Sequence, residues 1–143
     1  MSKGKRFITV ISKSPQETIE VGKKIANILK PGDVIYLYGE LGSGKTVFVK
    51  GVCRGLGVKE EVTSSSFVIA TEYKGRLLVS HIDLYRLDRG DLAELPIDEY
   101  ILDKGITIIE WADRIDNNKK GLRVDIDIKN KKIREIIIED SRD

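Results

Sequence analysis

Gly39-Glu40-Leu41-Gly42-Ser43-Gly44-Lys45-Thr46 is the stretch whose residue types and spacing could do chemistry. It satisfies G-x-x-x-x-G-K-[ST] at every fixed position. Glycines let a backbone wrap tightly and aim several N–H groups at phosphate oxygens. A helix opening behind Gly44 adds unpaired amides and the positive end of its dipole. Lys45 can reach the β- and γ-phosphates as a point charge, and the Thr46 hydroxyl can ligate Mg²⁺. These eight residues predict a phosphate-binding loop, with ATP and Mg²⁺ as the expected ligands. GTP is disfavoured, because the N-K-x-D pattern that reads guanine is missing; Asn117-Asn118-Lys119-Lys120 lacks the aspartate.

A loop of this kind needs a strand before it and a helix after it. Val34–Tyr38 is an apolar run with two aromatic and two β-branched residues, which predicts a buried parallel strand. Phe48, Val52 and Leu56 recur every four residues behind Thr46, with Val49 and Cys53 beside them, and Gly55 and Gly57 mark the stop. A glycine-rich turn with an incidental Lys-Thr would not need that frame.

An ATPase also needs a carboxylate near the metal and a group that orients or deprotonates the attacking water. Asp83 follows the apolar run Leu77–Ile82, and Glu110 follows Ile106–Ile109. Ligands of open α/β sheets gather at the carboxyl ends of strands, so both acids could face the phosphates. Asp83 is assigned to the metal shell through water, and Glu110 to a second metal contact or the general base. The bland alternative is that each merely begins a loop. His81, two residues before Asp83, shares its face on a regular strand. A hydrogen-bonded imidazole supporting the site is preferred for it over a catalytic one. Ser64-Ser65-Ser66 reads either as a hydroxyl-rich sensor of metal and γ-phosphate or as a plain serine turn. For Trp111, packing against a nucleotide or partner stands beside core burial. Cys53 is read as a small core residue.

Elsewhere, Phe7–Ile11 predicts a strand. Ser14-Pro15-Gln16-Glu17 predicts a capped helix start, with a helix running to Pro31-Gly32. Phe67–Tyr73 and Leu77–Ile82 read as a hairpin across Lys74-Gly75, and 88–103 as helical turns and loops. Leu122–Ile128 and Ile133–Ile138 form a terminal hairpin about Asn130-Lys131. Its Lys129, Lys131, Lys132 and Arg134 read first as a lysine-guarded solvated edge, with RNA contact second. The order predicts an α/β fold: a mixed sheet flanked by helices in a single P-loop domain spanning residues 1–143. No apolar run approaches the roughly 20 residues of a membrane helix. One cysteine suits a reducing compartment, so a cytoplasmic protein is expected. A net charge of +2 gives no argument for nucleic-acid binding. The 34% charged content, with Gln only at position 16, resembles heat-adapted proteins.

With these residues in place the chain resembles the bacterial TsaE (YjeE) family, the small ATPase of tRNA threonylcarbamoyladenosine biosynthesis. The match runs from residue 14 to 135 through Val34–Thr46, Ser64–Phe67, His81-Ile82-Asp83-Leu84-Tyr85-Arg86-Leu87 and Glu110-Trp111. The phosphate loop alone is shared by many families, whereas H-x-D-L-Y-R-L and the Glu-Trp pair discriminate. The resemblance implies that Thr46 and Glu110 lie at the magnesium, that Asp83 is the second acidic motif, and that Lys45 binds phosphate. It further implies that Ser14–Thr18 approaches the nucleotide base and that Arg134 reaches it. Ser66 stands where the family has threonine, and Ser65 where it has proline, which leaves that loop less rigid. Two partners are implied, the transferase subunit that modifies adenosine beside the anticodon and its inactive paralogue, with tRNA met indirectly. Hydrolysis would be slow alone and would support repeated turnover of that complex. Two rival functions are a small-molecule P-loop kinase, using Arg86, Arg89 or Arg114, and a nucleotide-dependent docking switch with little hydrolysis.

Overall fold

The computed structural model describes residues 6–62, 70–85, 97–115 and 120–143. Strand β1 (Arg6–Ser12) leads into helix α1 (Pro15–Ala26), then β2 (Val34–Tyr38) and α2 (Lys45–Gly55). β3 (Ala70–Lys74), β4 (Leu78–Asp83), β5 (Ile106–Glu110), β6 (Leu122–Ile128) and β7 (Arg134–Asp140) follow. Short 3₁₀ turns lie at Ile97–Tyr100 and Ala112–Arg114. All seven strands join one sheet in the order β1-β7-β6-β2-β5-β4-β3. β2 pairs parallel with β5 and β6, and β5 pairs parallel with β4. The remaining pairs are antiparallel, so the sheet is mixed as expected.

α1 starts where the capping residues place it. Ser14 Oγ accepts from the Glu17 N–H at 3.1 Å, Pro15 fills the first turn, and the Glu17 carboxylate accepts from the Lys13 N–H. The helix ends at Ala26, short of the expected Pro31, in a turn at Asn27 and Ile28. α1 and α2 approach unusually closely because three glycines meet there. A Cβ on Gly22 would stand 2.5 Å from the Phe48 carbonyl, and one on Gly51 would collide with the Ile19 backbone.

Alternation then sorts the strands' side chains. Ile35, Leu37, Val79, Ile106, Ile108, Val124 and Ile136 pack with Ile25, Phe48, Val52 and Leu56 of the helices. Val34, Tyr36, Ile82 and Ile109 face the other way, under Leu84 and Ala112. Both α-helices therefore cover one face of the sheet.

Asp83 and Glu110 are the last residues of β4 and β5, at the strand ends where the sequence placed them, so strand register sets their direction. Of the hairpin predicted over 67–82, the described part confirms β3 against β4, and residues 67–69 lie outside the described residues. The C-terminal hairpin is not the guarded edge predicted: β7 is sandwiched between β6 and β1, and β1 is the edge. Nothing local in the C-terminal residues could signal that pairing, because its partner is the distant N-terminal strand.

Candidate functional site

Parallel pairing brings three strand ends together. β4 and β5 place Asp83 opposite Glu110, and β2 and β5 place Leu37 opposite Glu110, one residue before Tyr38 and the phosphate loop. The loop turns through Gly42 (φ 81°) and Gly44 (φ 108°), a left-handed backbone that side-chain-bearing residues rarely adopt. Gly44 is the N-cap of α2 and no side chain caps it, so the first amides of the helix are open to an anion. Ser43 Oγ is buried in the loop with no hydrogen-bond partner among the described residues.

Lys45 is 5% exposed and turns back on its own loop. Its Nζ donates to the Gly39 carbonyl at 2.5 Å and the Glu40 carbonyl at 3.0 Å, and lies 3.9 Å above the centre of the Trp111 ring. Burial pulls its pKa below that of an ordinary lysine, while Glu110, Asp83 and Asp113 oppose the fall. Phosphate oxygens are charged acceptors and form stronger bonds with an ammonium than these neutral carbonyls do.

Glu110, 2% exposed, anchors a chain of polar contacts. Thr46 Oγ1 donates to its two oxygens at 3.2 and 3.3 Å. His81, itself 4% exposed, brings Nε2 to 2.5 Å from the Glu110 Oε2. The imidazole is thus the hydrogen-bonded support expected from the sequence. Asp83 accepts from the Tyr85 N–H at 3.0 Å; burial raises its pKa, and that bond works the other way. Trp111 takes a left-handed backbone (φ 61°), the sole non-glycine case among the described residues, and the Tyr85 ring packs against it, tilted by 40°, with centroids 5.0 Å apart. It packs, half-buried, at the margin of the smaller core cluster and flanks Lys45.

Two cavities meet at the loop and share Gly42, Gly44 and Val47. One of about 290 Å³ is lined by Leu41, Lys45, Thr46, Asp83, Glu110 and Trp111. The other, about 460 Å³, is lined by Ser14, Thr18, Ser43 and Arg134, with Lys13, Lys131 and Lys132 at its rim. The described predicted residues are therefore assembled around one loop, apart from the Glu40 side chain, which is exposed while its carbonyl serves Lys45. Ser64–Ser66, Arg86 and Arg89 lie outside the described residues. Arg134 does something the sequence did not signal: its guanidinium donates to the carbonyls of Ser43 (3.1 Å) and Gly42 (3.3 Å). Tyr85, Lys131 and Lys132 were also missed as site residues. The H-x-D-L-Y run and the basic turn were their only traces.

The donor set fits the expected ligands. No cluster of three His, Cys, Asp or Glu occurs among the described residues, and Mg²⁺ asks for none. It is held by one or two carboxylates together with phosphate oxygens and waters. A hydroxyl, a buried carboxylate and a second acid at the end of a glycine-framed loop supply that set, and Ser43 Oγ is a further polar atom turned into the loop.

A phosphate loop at the carboxyl ends of parallel strands, with acids on the neighbouring strand ends, defines a nucleotide-binding P-loop protein of the α/β class. The model of the family described as threonylcarbamoyl adenosine biosynthesis protein TsaE matches residues 12–136, and the chain belongs to that TsaE family. Similar relatives are TsaE proteins of Bacillus subtilis (41% identical over 117 residues, 81% of this chain and 73% of the relative) and Treponema pallidum (40% over 106, 73% and 78%). A third, from Aquifex aeolicus, is 36% identical over 132 residues, covering 80% of this chain and 93% of its own. A crystal structure of Bacillus subtilis YdiB matches with a TM-score of 0.81 at 33% identity, covering 99% of this chain and 90% of that one. No helix among the described residues is long and apolar enough to cross a membrane.

Proposed function

We propose that this protein is the magnesium-dependent ATPase of tRNA threonylcarbamoyladenosine biosynthesis, acting in the cytoplasm as one P-loop domain. The observation that carries the reading is the Thr46 hydroxyl held against the buried Glu110 carboxylate at the mouth of the phosphate loop. Gly39–Thr46 enclose the phosphates, with loop and helix amides on the oxygens and the Lys45 ammonium on the outer phosphates. Bound Mg²⁺ would neutralise charge developing on the transferred phosphoryl group. Thr46 and Glu110 would hold it directly, with Asp83 in its outer shell and Ser66 as a further hydroxyl. Glu110, fixed by His81 and Thr46, orients the attacking water or takes its proton. The larger cavity takes the nucleoside, with Ser14, Thr18 and Arg134 along its wall. Trp111 flanks the phosphates beside Lys45.

The names of the relatives support the pathway assignment. In this reading hydrolysis is slow alone and drives repeated turnover of a complex with the threonylcarbamoyl-transferase subunit and its inactive paralogue. That complex, rather than this subunit, presents the tRNA. Calorimetry with ATP and Mg²⁺ tests the foundation: the protein binds, and Lys45→Ala gives no heat. ATP should then yield ADP and free phosphate, faster with the partner subunits and tRNA present. A phosphorylated metabolite would move the assignment to a kinase, and binding without partner-stimulated hydrolysis would move it to a docking switch.

A further inference from the structure

The sheet finishes its two edges differently. β3 is five residues long and carries the exposed charges Glu72 and Lys74, which blunt an edge against further pairing. β1 is seven residues long, and between Arg6 and Lys13 every residue is uncharged: Phe7-Ile8-Thr9-Val10-Ile11-Ser12. It contains no proline, and its register with β7 runs unbroken through seven pairs, so no bulge twists the edge away. Among the described residues no strand pairs with its outer side. Its apolar side chains nevertheless face solvent, Phe7 at 64%, Ile8 at 57% and Ile11 at 47% exposure. Phe7 and Ile11 stand on the face away from the helices and Ile8 on the helix face, so the edge is apolar on both flanks. A segment of this kind, β-branched, neutral and free of Pro and Gly, is a template for another strand.

We propose that β1 is a self-association edge, at which two copies of the chain pair β1 against β1, antiparallel, about a two-fold axis at Thr9. The strand is complementary to itself in that register. Phe7 falls beside Ile11 of the second copy, Ile8 beside Val10, and Thr9 beside Thr9. Aromatic–β-branched and Thr–Thr neighbours of this sort stabilise antiparallel pairs. Arg6 meets Ser12, so no like charges oppose each other within the paired residues. A second copy supplies every one of these matches with a single surface, as an isologous interface requires. The contact is confined to one strand edge and its flanks, so the dimer is concentration-dependent. It also bears on the nucleotide cavity, because Ser12 ends β1 and its Oγ bonds the Ser14 carbonyl (2.8 Å) and the Thr18 hydroxyl (2.7 Å) on the cavity wall.

Sedimentation of the full chain over a concentration series tests this. The apparent mass should rise from 16.1 kDa toward twice that value, and Ile8→Lys should hold it at one chain. Thr9→Cys reports the register: a short bis-maleimide should link two Thr9→Cys chains far more than two Ile28→Cys chains, which carry the thiol on an exposed loop. Cys53 does not compete, since it is buried and burial pushes its thiol pKa up to about 12. A chain that stays monomeric at every concentration overturns the proposal. So does a dimer that survives Ile8→Lys with no preferential linking through position 9.

Discussion

Strands β2, β4 and β5 are buried on both faces, whereas in the antiparallel wing β6 and β7 alternate buried and more open positions and β1 is exposed along most of its length. Parallel strands lie between two covering layers, so their side chains are mostly apolar, and the acids of β4 and β5 sit at the strand ends. Asp83 and Glu110 are those ends. The wing carries no carboxylate into the site. It sends Arg134 to the carbonyls of the phosphate loop and Ser12 to the start of α1. The parallel half thus holds the groups that would touch phosphate and metal, and the wing holds the backbone that aims them.

Substitutions at four positions probe that division, and the largest effect belongs to the parallel half. Glu110→Gln should lower ATP turnover by about 10²–10⁴-fold, the range for a general acid–base group, with calorimetry still detecting nucleotide. Retained turnover would mean the carboxylate is only a strand end. Gly51→Ala should cost about 1–3 kcal/mol, since the added methyl meets the Ile19 backbone where the helices touch. A melting temperature several degrees lower is the readout. In the wing, Arg134→Ala should weaken ATP binding about tenfold, the scale of lost charge-assisted bonds, with little loss of stability. Lysine at 134 should recover only part, because an ammonium cannot reproduce the planar fork that spans two carbonyls. The smallest effect concerns the end of the wing, where Arg142 bonds Asp140, Asp33 and the Ile28 carbonyl. Arg142 holds the Asp140 carboxyl below the usual range, with burial opposing. The folded pKa is the lower one, so the contribution is full above the unfolded value of about 3.9 and is lost as pH falls through the folded value. Arg142→Ala should cost no more than about 1 kcal/mol near neutrality and flatten the acid side of the stability curve.

Local patterns carried most of the parallel half. Val34–Tyr38 and Ile106–Ile109 read as buried strands because no charge interrupts them, and the loop motif marks its own helix. The Ser14 cap was equally plain. What escaped the sequence is long-range. The pairing of Arg6–Ser12 with Arg134–Asp140 joins the two ends of the chain, and alternation alone does not name a partner. Arg134 reaches Ser43 across 91 positions, and a basic turn at a strand start gives no hint of that bond. The close helix contact rests on Gly22, Gly51 and Gly55, whose small size shows up as packing only when both helices are in view. His81 was legible as a support because its spacing from Asp83 fixed its face, and the tie to Glu110 needed the register of β4 on β5.

The left-handed turn at Trp111 has an optical consequence. It sets the chain's single indole under the Lys45 ammonium and against the Tyr85 ring, so all tryptophan emission originates beside the phosphate loop. A ligand that draws the ammonium away changes the charge over that ring. Intrinsic fluorescence should therefore follow occupancy of the loop without any attached dye.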